Sequence, residues 1–236
     1  MKIAAIQPLP DLAMAVKLME VAINDSSDVI MLPEKWIQQG TAAINAAIDV
    51  SSTFDGVIIP GAFEIDGEVK APIIKGGEAR AWSIKSHLTE TERSRAQPGP
   101  GPLLVEFQGV KMGIMICYDA DFPEIARALA ISGASLFLVP SKILHRGIDM
   151  WRIYIMARSL ENRVPLVNAN ALDPPIFMGE SRAVELREEQ GIVVAAERGL
   201  RDEPGILYYE HSDSLSILRE RRIKELRGYQ VNSISI

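Results

Sequence analysis

A single cysteine, Cys117, stands in a chain of 236 residues, at a place where a thiol could do chemistry. It closes the apolar run Val110-Lys111-Met112-Gly113-Ile114-Met115-Ile116. The polar stretch Tyr118-Asp119-Ala120-Asp121 follows at once, then Phe122-Pro123-Glu124. An apolar run with so sharp a boundary reads as a buried strand, and Pro123 suits the first turn of a helix. The thiol is therefore expected at a strand-to-helix corner. Backbone N–H groups and the helix dipole favour an anion there, which lowers a cysteine's pKa toward the nucleophilic thiolate. Free cysteine is also among the most buried and inert residue types, so this position alone leaves nucleophile and core residue both open.

The elements around Cys117 repeat. Lys2–Gln7 reads as a buried strand, Asp11–Asn24 carries helical spacing at Leu12, Val16, Met19 and Ile23, and Asp28–Pro33 is a second strand ending at Glu34. The same order returns as a strand at Lys111–Ile116, an alanine-rich helix at Pro123–Ser132 and a strand at Ser135–Pro140 ending at Ser141. Two strand–helix–strand units of similar length imply two alike halves with parallel strand pairs. In such sheets ligands gather outside the carboxyl ends of strands, where Glu34, Cys117 and Ser141 lie. Val57–Phe63 and Ala81–Lys85 read as further strands, Asp149–Asn162 as a helix and Val164–Asn168 as the strand after it. Ser181–Leu186 with Ile192–Ala196 reads as a hairpin, and Ile206–Glu210 and Asp213–Leu226 as a last strand and helix. Gln97–Pro102 is a rigid turn rather than a linker, so residues 1–236 are expected to form one α/β domain.

Several stretches together resemble the nitrilase, or carbon–nitrogen hydrolase, superfamily, in its amidase-like branch. They are Leu32-Pro33-Glu34, Lys85-Ser86-His87-Leu88, and Gly113-Ile114-Met115-Ile116-Cys117-Tyr118-Asp119 with Phe122-Pro123-Glu124. Pro98-Gly99, Arg158 with Glu161-Asn162, Asn168-Ala169-Asn170 and Gly179-Glu180-Ser181 support them, in the family's order from Lys2 to about Arg222. The resemblance implies a four-layer α-β-β-α sandwich and a Glu34–Lys85–Cys117 triad without metal or cofactor. Cys117 would attack a carbonyl carbon to form a thioester. Glu34 would move the protons, and Lys85, with the N–H of Tyr118, would face the developing oxyanion. A second glutamate, Glu92 with Glu90 as its competitor, would orient Lys85 and Glu34. Ser141 and His145 are candidate pocket residues. Many family members that act on acid amides have an arginine four positions after the nucleophile. Asp121 stands there instead and would repel a substrate carboxylate, which favours neutral or cationic amides. The expected reaction is hydrolysis of a small linear amide to a carboxylic acid and ammonia. The alternatives are a true nitrilase on the same triad and a non-catalytic binding module of the same fold.

Composition bounds the rest. The charge balance is −6, and 47% of the residues are hydrophobic. No basic stretch carries the aromatic residues of a nucleic-acid surface. No apolar run approaches a membrane span, and no leader peptide is read at the N-terminus. One cysteine excludes an internal disulfide and suits a reducing cytoplasm. His87, His145 and His211 lack metal-ligand spacing. The resemblance further implies pairing into a homodimer or higher homo-oligomer. Trp151, Tyr154 and Ile155, together with the segment at about 213–236, are candidate contact surfaces.

Overall fold

A computed structural model of the chain describes residues 1–227. The first half comprises β1 (Lys2–Gln7), α1 (Leu12–Asn24), β2 (Val29–Met31), α2 (Gly40–Ser51), β3 (Val57–Ile59), β4 (Phe63–Ile65), β5 (Glu68–Lys75) and β6 (Glu78–Ile84). The second comprises β7 (Leu103–Phe107), β8 (Val110–Ile114), α3 (Pro123–Ile131), β9 (Leu136–Ser141), α4 (Ile148–Asn162) and β10 (Leu166–Asn170). There follow the short pair β11 (Leu172–Asp173) and β12 (Phe177–Met178), the hairpin β13 (Arg182–Glu189) and β14 (Ile192–Gly199), β15 (Gly205–Glu210) and α5 (Ser216–Lys224). One sheet runs β15-β1-β2-β3-β5-β4 with β6 on β5, and the other runs β14-β13-β10-β9-β8-β7. Strands β1, β2 and β3 are mutually parallel, as are β8, β9 and β10. Strand β6 is antiparallel to β5, itself antiparallel to β3, so β6 ends at the same edge as β2 and β3.

The alternation along each strand builds the layers. From the first sheet Ile3, Ala5, Val29 and Met31 point inward, where they pack against Met112, Ile114, Leu136, Leu138 and Val167 of the second. The intervening Ala4, Ile6 and Ile30 point outward to Ala15, Met19 and Ala22 of α1 and Ala43, Ile44 and Ala47 of α2. On the other sheet Phe137, Val139 and Leu166 face Ile125, Ala126 and Leu129 of α3 and Trp151 and Ile155 of α4. Helices therefore cover both outer faces of two packed sheets, giving the four-layer α-β-β-α sandwich. Strands buried on both faces must be apolar throughout, which is why β1, β8 and β9 are plain in the sequence.

Some elements differ from the sequence reading. Val57–Phe63 is two strands, β3 and β4, parted at Pro60-Gly61. Gly61 has φ of +107° there, and a Cβ would meet Pro33 O at 2.1 Å. Helix α2 and strand β5, which carries Pro72, were not anticipated. Trp151 and Ile155, expected at a contact surface, are 3% and 0% exposed and belong to the core. They lie on the sheet-facing side of α4, and the Trp151 indole donates to Asn168 Oδ1 at 3.0 Å. The outward face of the same helix carries Met150 and Ile153, 57% and 62% exposed. Of the segment 213–236, α5 is anchored by buried Leu215 and by the Arg219–Asp213 ion pair at 2.6 Å. Residues 228–236 lie outside the described residues.

Candidate active site

Three carboxyl-terminal strand ends meet between the sheets. Glu34 lies three residues beyond β2, Lys85 directly follows β6, and Cys117 lies three residues beyond β8. All are buried, at 3%, 0% and 6% exposure. Lys85 Nζ donates to Glu34 Oε1 at 2.8 Å and lies 2.9 Å from Glu92 Oε2, so one ammonium joins two buried carboxylates. Glu92, rather than the exposed Glu90, is the second glutamate of the cluster. Its carboxylate also accepts from the N–H of Thr89 at 2.9 Å and from Lys35 Nζ at 2.5 Å.

Local backbone geometry presents these groups. Cys117 has φ of +48° and Lys35, next to Glu34, has φ of +43°. Left-handed backbone at a residue with a Cβ is uncommon, and such strain gathers at functional corners. Around Glu34, the N–H of Lys35 bonds Ala62 O at 2.9 Å, and the Trp36 indole donates to Pro60 O at 2.8 Å. Gly61 lets that segment lie against Pro33.

Asp119, to which the sequence assigns no role, joins two of the site's segments. Its carboxylate accepts from the N–H groups of Ser86 at 3.1 Å, His87 at 2.8 Å and Ile116 at 3.2 Å, and it contacts His87 Nδ1 at 3.2 Å. The end of β6, which carries Lys85, is thereby tied to the turn that carries Cys117. Burial pushes the Asp119 carboxyl up, and the His87, Ser86 and Ile116 N–H groups pull it back.

The electrostatics run against one expectation, that the corner lowers the Cys117 pKa. Cys117 opens a short 3-10 turn, Cys117–Asp121, and α3 begins only at Pro123. The helix thus begins six residues beyond the sulfur rather than at it. Burial and the neighbouring Glu34 push the thiol well above its ordinary pKa, against Lys85 and the backbone N–H of Lys142. Burial and Glu34 thus favour the protonated form of the Cys117 thiol, against the lowering expected at a strand-to-helix corner. Burial works against charge on Lys85, but Glu34, Cys117 and Glu92 outweigh it and keep the ammonium protonated. Burial also opposes ionisation of Glu92, yet Lys85, Lys35 and the Thr89 N–H bring its pKa down to about 2.

The remaining candidates are spread out. Tyr118 is half-buried with its ring edge-on to Phe122. Asp121 is half-buried, its pKa raised by burial and lowered by Arg158 and Lys85. Ser141 does not open into the cluster. Its hydroxyl is 0% exposed, accepting from Asn168 Nδ2 and donating to Asn170 Oδ1, both at 2.8 Å. His145 is exposed at the start of the 3-10 turn His145–Gly147 that leads into α4. A groove of about 700 Å³ opens beside the cluster, lined by Lys35, Gln38, Phe63, Arg95 and Lys142 among others. The described residues hold no group of three or more His, Cys, Asp or Glu arranged for a metal ion. None of their helices is long and apolar enough to cross a membrane.

Known proteins are similar to this chain. The family model for carbon–nitrogen hydrolases matches residues 70–212, more than half of the chain. A probable nitrilase of Schizosaccharomyces pombe is 37% identical over 115 residues, 48% of this chain and 42% of that protein. An (R)-stereoselective amidase of Pseudomonas sp. is 38% identical over 105 residues, 43% of this chain and 38% of that protein. The chain thus spans about 40% of the length of these two curated relatives. A solved variant of the amidase from Nesterenkonia sp. AN1, with acrylamide added at its active-site cysteine, has the same fold. Its TM-score is 0.75 at 23% identity, over 95% of this chain and 98% of that one. From the matched family model, with the sandwich that accompanies it, the chain belongs to the carbon–nitrogen hydrolase family.

Proposed function

We propose that the chain hydrolyses a small linear amide to a carboxylic acid and ammonia, with Cys117 as nucleophile, Glu34 as general base and acid, and Lys85 at the oxyanion. The observation that carries this reading is the buried contact of Lys85 with Glu34 at 2.8 Å beside the sole cysteine. Burial and Glu34 hold the thiol pKa up, so in this reading its proton leaves as sulfur attacks, and Glu34 is the group beside it to take that proton. The carbonyl π electrons move to oxygen, where the Lys85 ammonium and the N–H of Tyr118 meet the negative charge. Collapse of the tetrahedral adduct breaks the C–N bond. Glu34 returns its proton to the departing nitrogen, which leaves as ammonia, and a thioester remains on Cys117. Glu34 then removes a proton from water, the hydroxide attacks the thioester carbon, and the acid leaves as the proton returns to sulfur. Glu92 holds Lys85 from its other side.

Asp121, four positions after Cys117 and close enough to feel the Lys85 charge, would in this reading disfavour a carboxylate next to the scissile carbonyl. A nitrile is the second reading, favoured by the likeness to the S. pombe protein described as a probable nitrilase. The outward pair Met150 and Ile153 on α4 supports assembly as a homodimer, and the lone cysteine suits a cytoplasmic setting. A panel of neutral, acidic and amino-bearing amides, each with its matching nitrile, assayed for ammonia release, tests the function. Release from amides and not nitriles is expected. Release from nitriles alone would favour the second reading, and release from neither would overturn both.

A further inference from the structure

The buried cluster has a fourth charged member with no part in the mechanism just described. The contacts form an alternating row of Glu34, Lys85, Glu92 and Lys35, with separations of 2.8, 2.9 and 2.5 Å. Without Lys35, two carboxylates only 3% and 4% exposed would share the Lys85 ammonium, with the Lys142 charge felt by Glu34 but not by Glu92. Like charges in a buried site do not both stay ionised, and one of them takes up a proton.

We propose that Lys35 is a positioning residue whose ammonium balances Glu92, so that Glu34 stays free to accept the Cys117 proton. The inference rests on the reading of Cys117 as nucleophile and Glu34 as its base. Lys35 is held at three points. Its N–H bonds Ala62 O at 2.9 Å, its carbonyl accepts from Lys142 Nζ at 2.9 Å, and its own ammonium bonds Glu92. Lys142 follows the last residue of β9, and its backbone N–H faces the Cys117 sulfur. The left-handed Lys35 is thereby pinned between the strand ends of both sheets. Facing Glu92 are Lys85 after β6, Lys35 after β2 and the N–H of Thr89 in its own loop. Facing Cys117 are Glu34, Lys85 and Lys142.

The test needs no substrate. Because the chain has one cysteine, the rate of its alkylation by iodoacetamide, followed against pH by intact mass, reports deprotonation at Cys117 alone. Lys35→Met removes the charged terminal atom while keeping an unbranched chain of four heavy atoms and the same demand for left-handed backbone. In that variant the two carboxylates hold a shared proton to higher pH, and a protonated site does not accept the thiol proton. The midpoint of the acid side of the alkylation profile is expected to rise by about one pH unit or more. Lys35→Arg should restore it, and Glu92→Gln added to Lys35→Met should cancel the rise by removing the competing carboxylate. Lys35→Gln serves if the Met variant does not fold, as judged by its thermal midpoint. A folded, uncharged variant whose profile matches the wild type would overturn the proposal. Failure of wild-type Cys117 to alkylate at any pH would instead overturn the nucleophile reading, and this inference with it.

Discussion

Replacing Asp119 with alanine should separate two segments of the site. Its carboxylate serves three backbone N–H groups, of Ser86, His87 and Ile116, at 2.8 to 3.2 Å, plus the His87 ring. A buried donor left without an acceptor costs about 1–3 kcal/mol. The Ile116 N–H is wholly buried and takes the full penalty, while Ser86 and His87 are half-buried, so water replaces part of the loss there. The sum is about 3 kcal/mol, with the methyl group leaving a small void besides. Urea unfolding should show the midpoint falling with the slope unchanged. Activity should fall further than stability alone explains, because the loosened end of β6 carries Lys85. Asp119→Asn, which keeps one acceptor oxygen, should lose less on both counts. A loss below about 1 kcal/mol for Asp119→Ala, with kcat/KM intact, would refute the view that Asp119 joins the Lys85 and Cys117 segments.

Two further outcomes follow from the surface and the reacting end. Asp121→Arg should move kcat/KM toward amides with a carboxylate beside the carbonyl by about tenfold, the effect of roughly 1.4 kcal/mol at a partly screened site; a wild type that already prefers those amides over neutral ones of equal length would dispose of this role. Light scattering at micromolar concentration should give at least twice 25.9 kDa, and Ile153→Asp should return the protein to monomer; a monomeric wild type would contradict a dimer through α4.

What could be read from the sequence depended on how locally each feature is determined. Strands β1, β8 and β9 lie between covered faces, so their apolar runs identified them. Helix α2 has no side-chain cap at Gln39 to mark its start, and Pro72 interrupts the strand signal of β5. The strand-end positions of Glu34 and Cys117 were visible, but their meeting was not. Lys85 contacts a residue 51 positions away, and only the ordered resemblance to a family brought them together. Glu92 could not be told from Glu90 until the turn at Thr89 aimed one inward. Asp119 and Lys35 escaped notice because their partners are main-chain groups or side chains on distant strands. The direction of the thiol's pKa was hidden for a related reason. Its pKa depends on burial and on Glu34, and neither follows from the residues next to it.

Intact-mass spectrometry during turnover of a slow amide tests the central claim most directly. The wild type should gain the mass of one acyl group, mapped to Cys117, and lose it as product accumulates. Cys117→Ala should neither gain that mass nor release ammonia. Ammonia release by a folded Cys117→Ala protein would contradict the account.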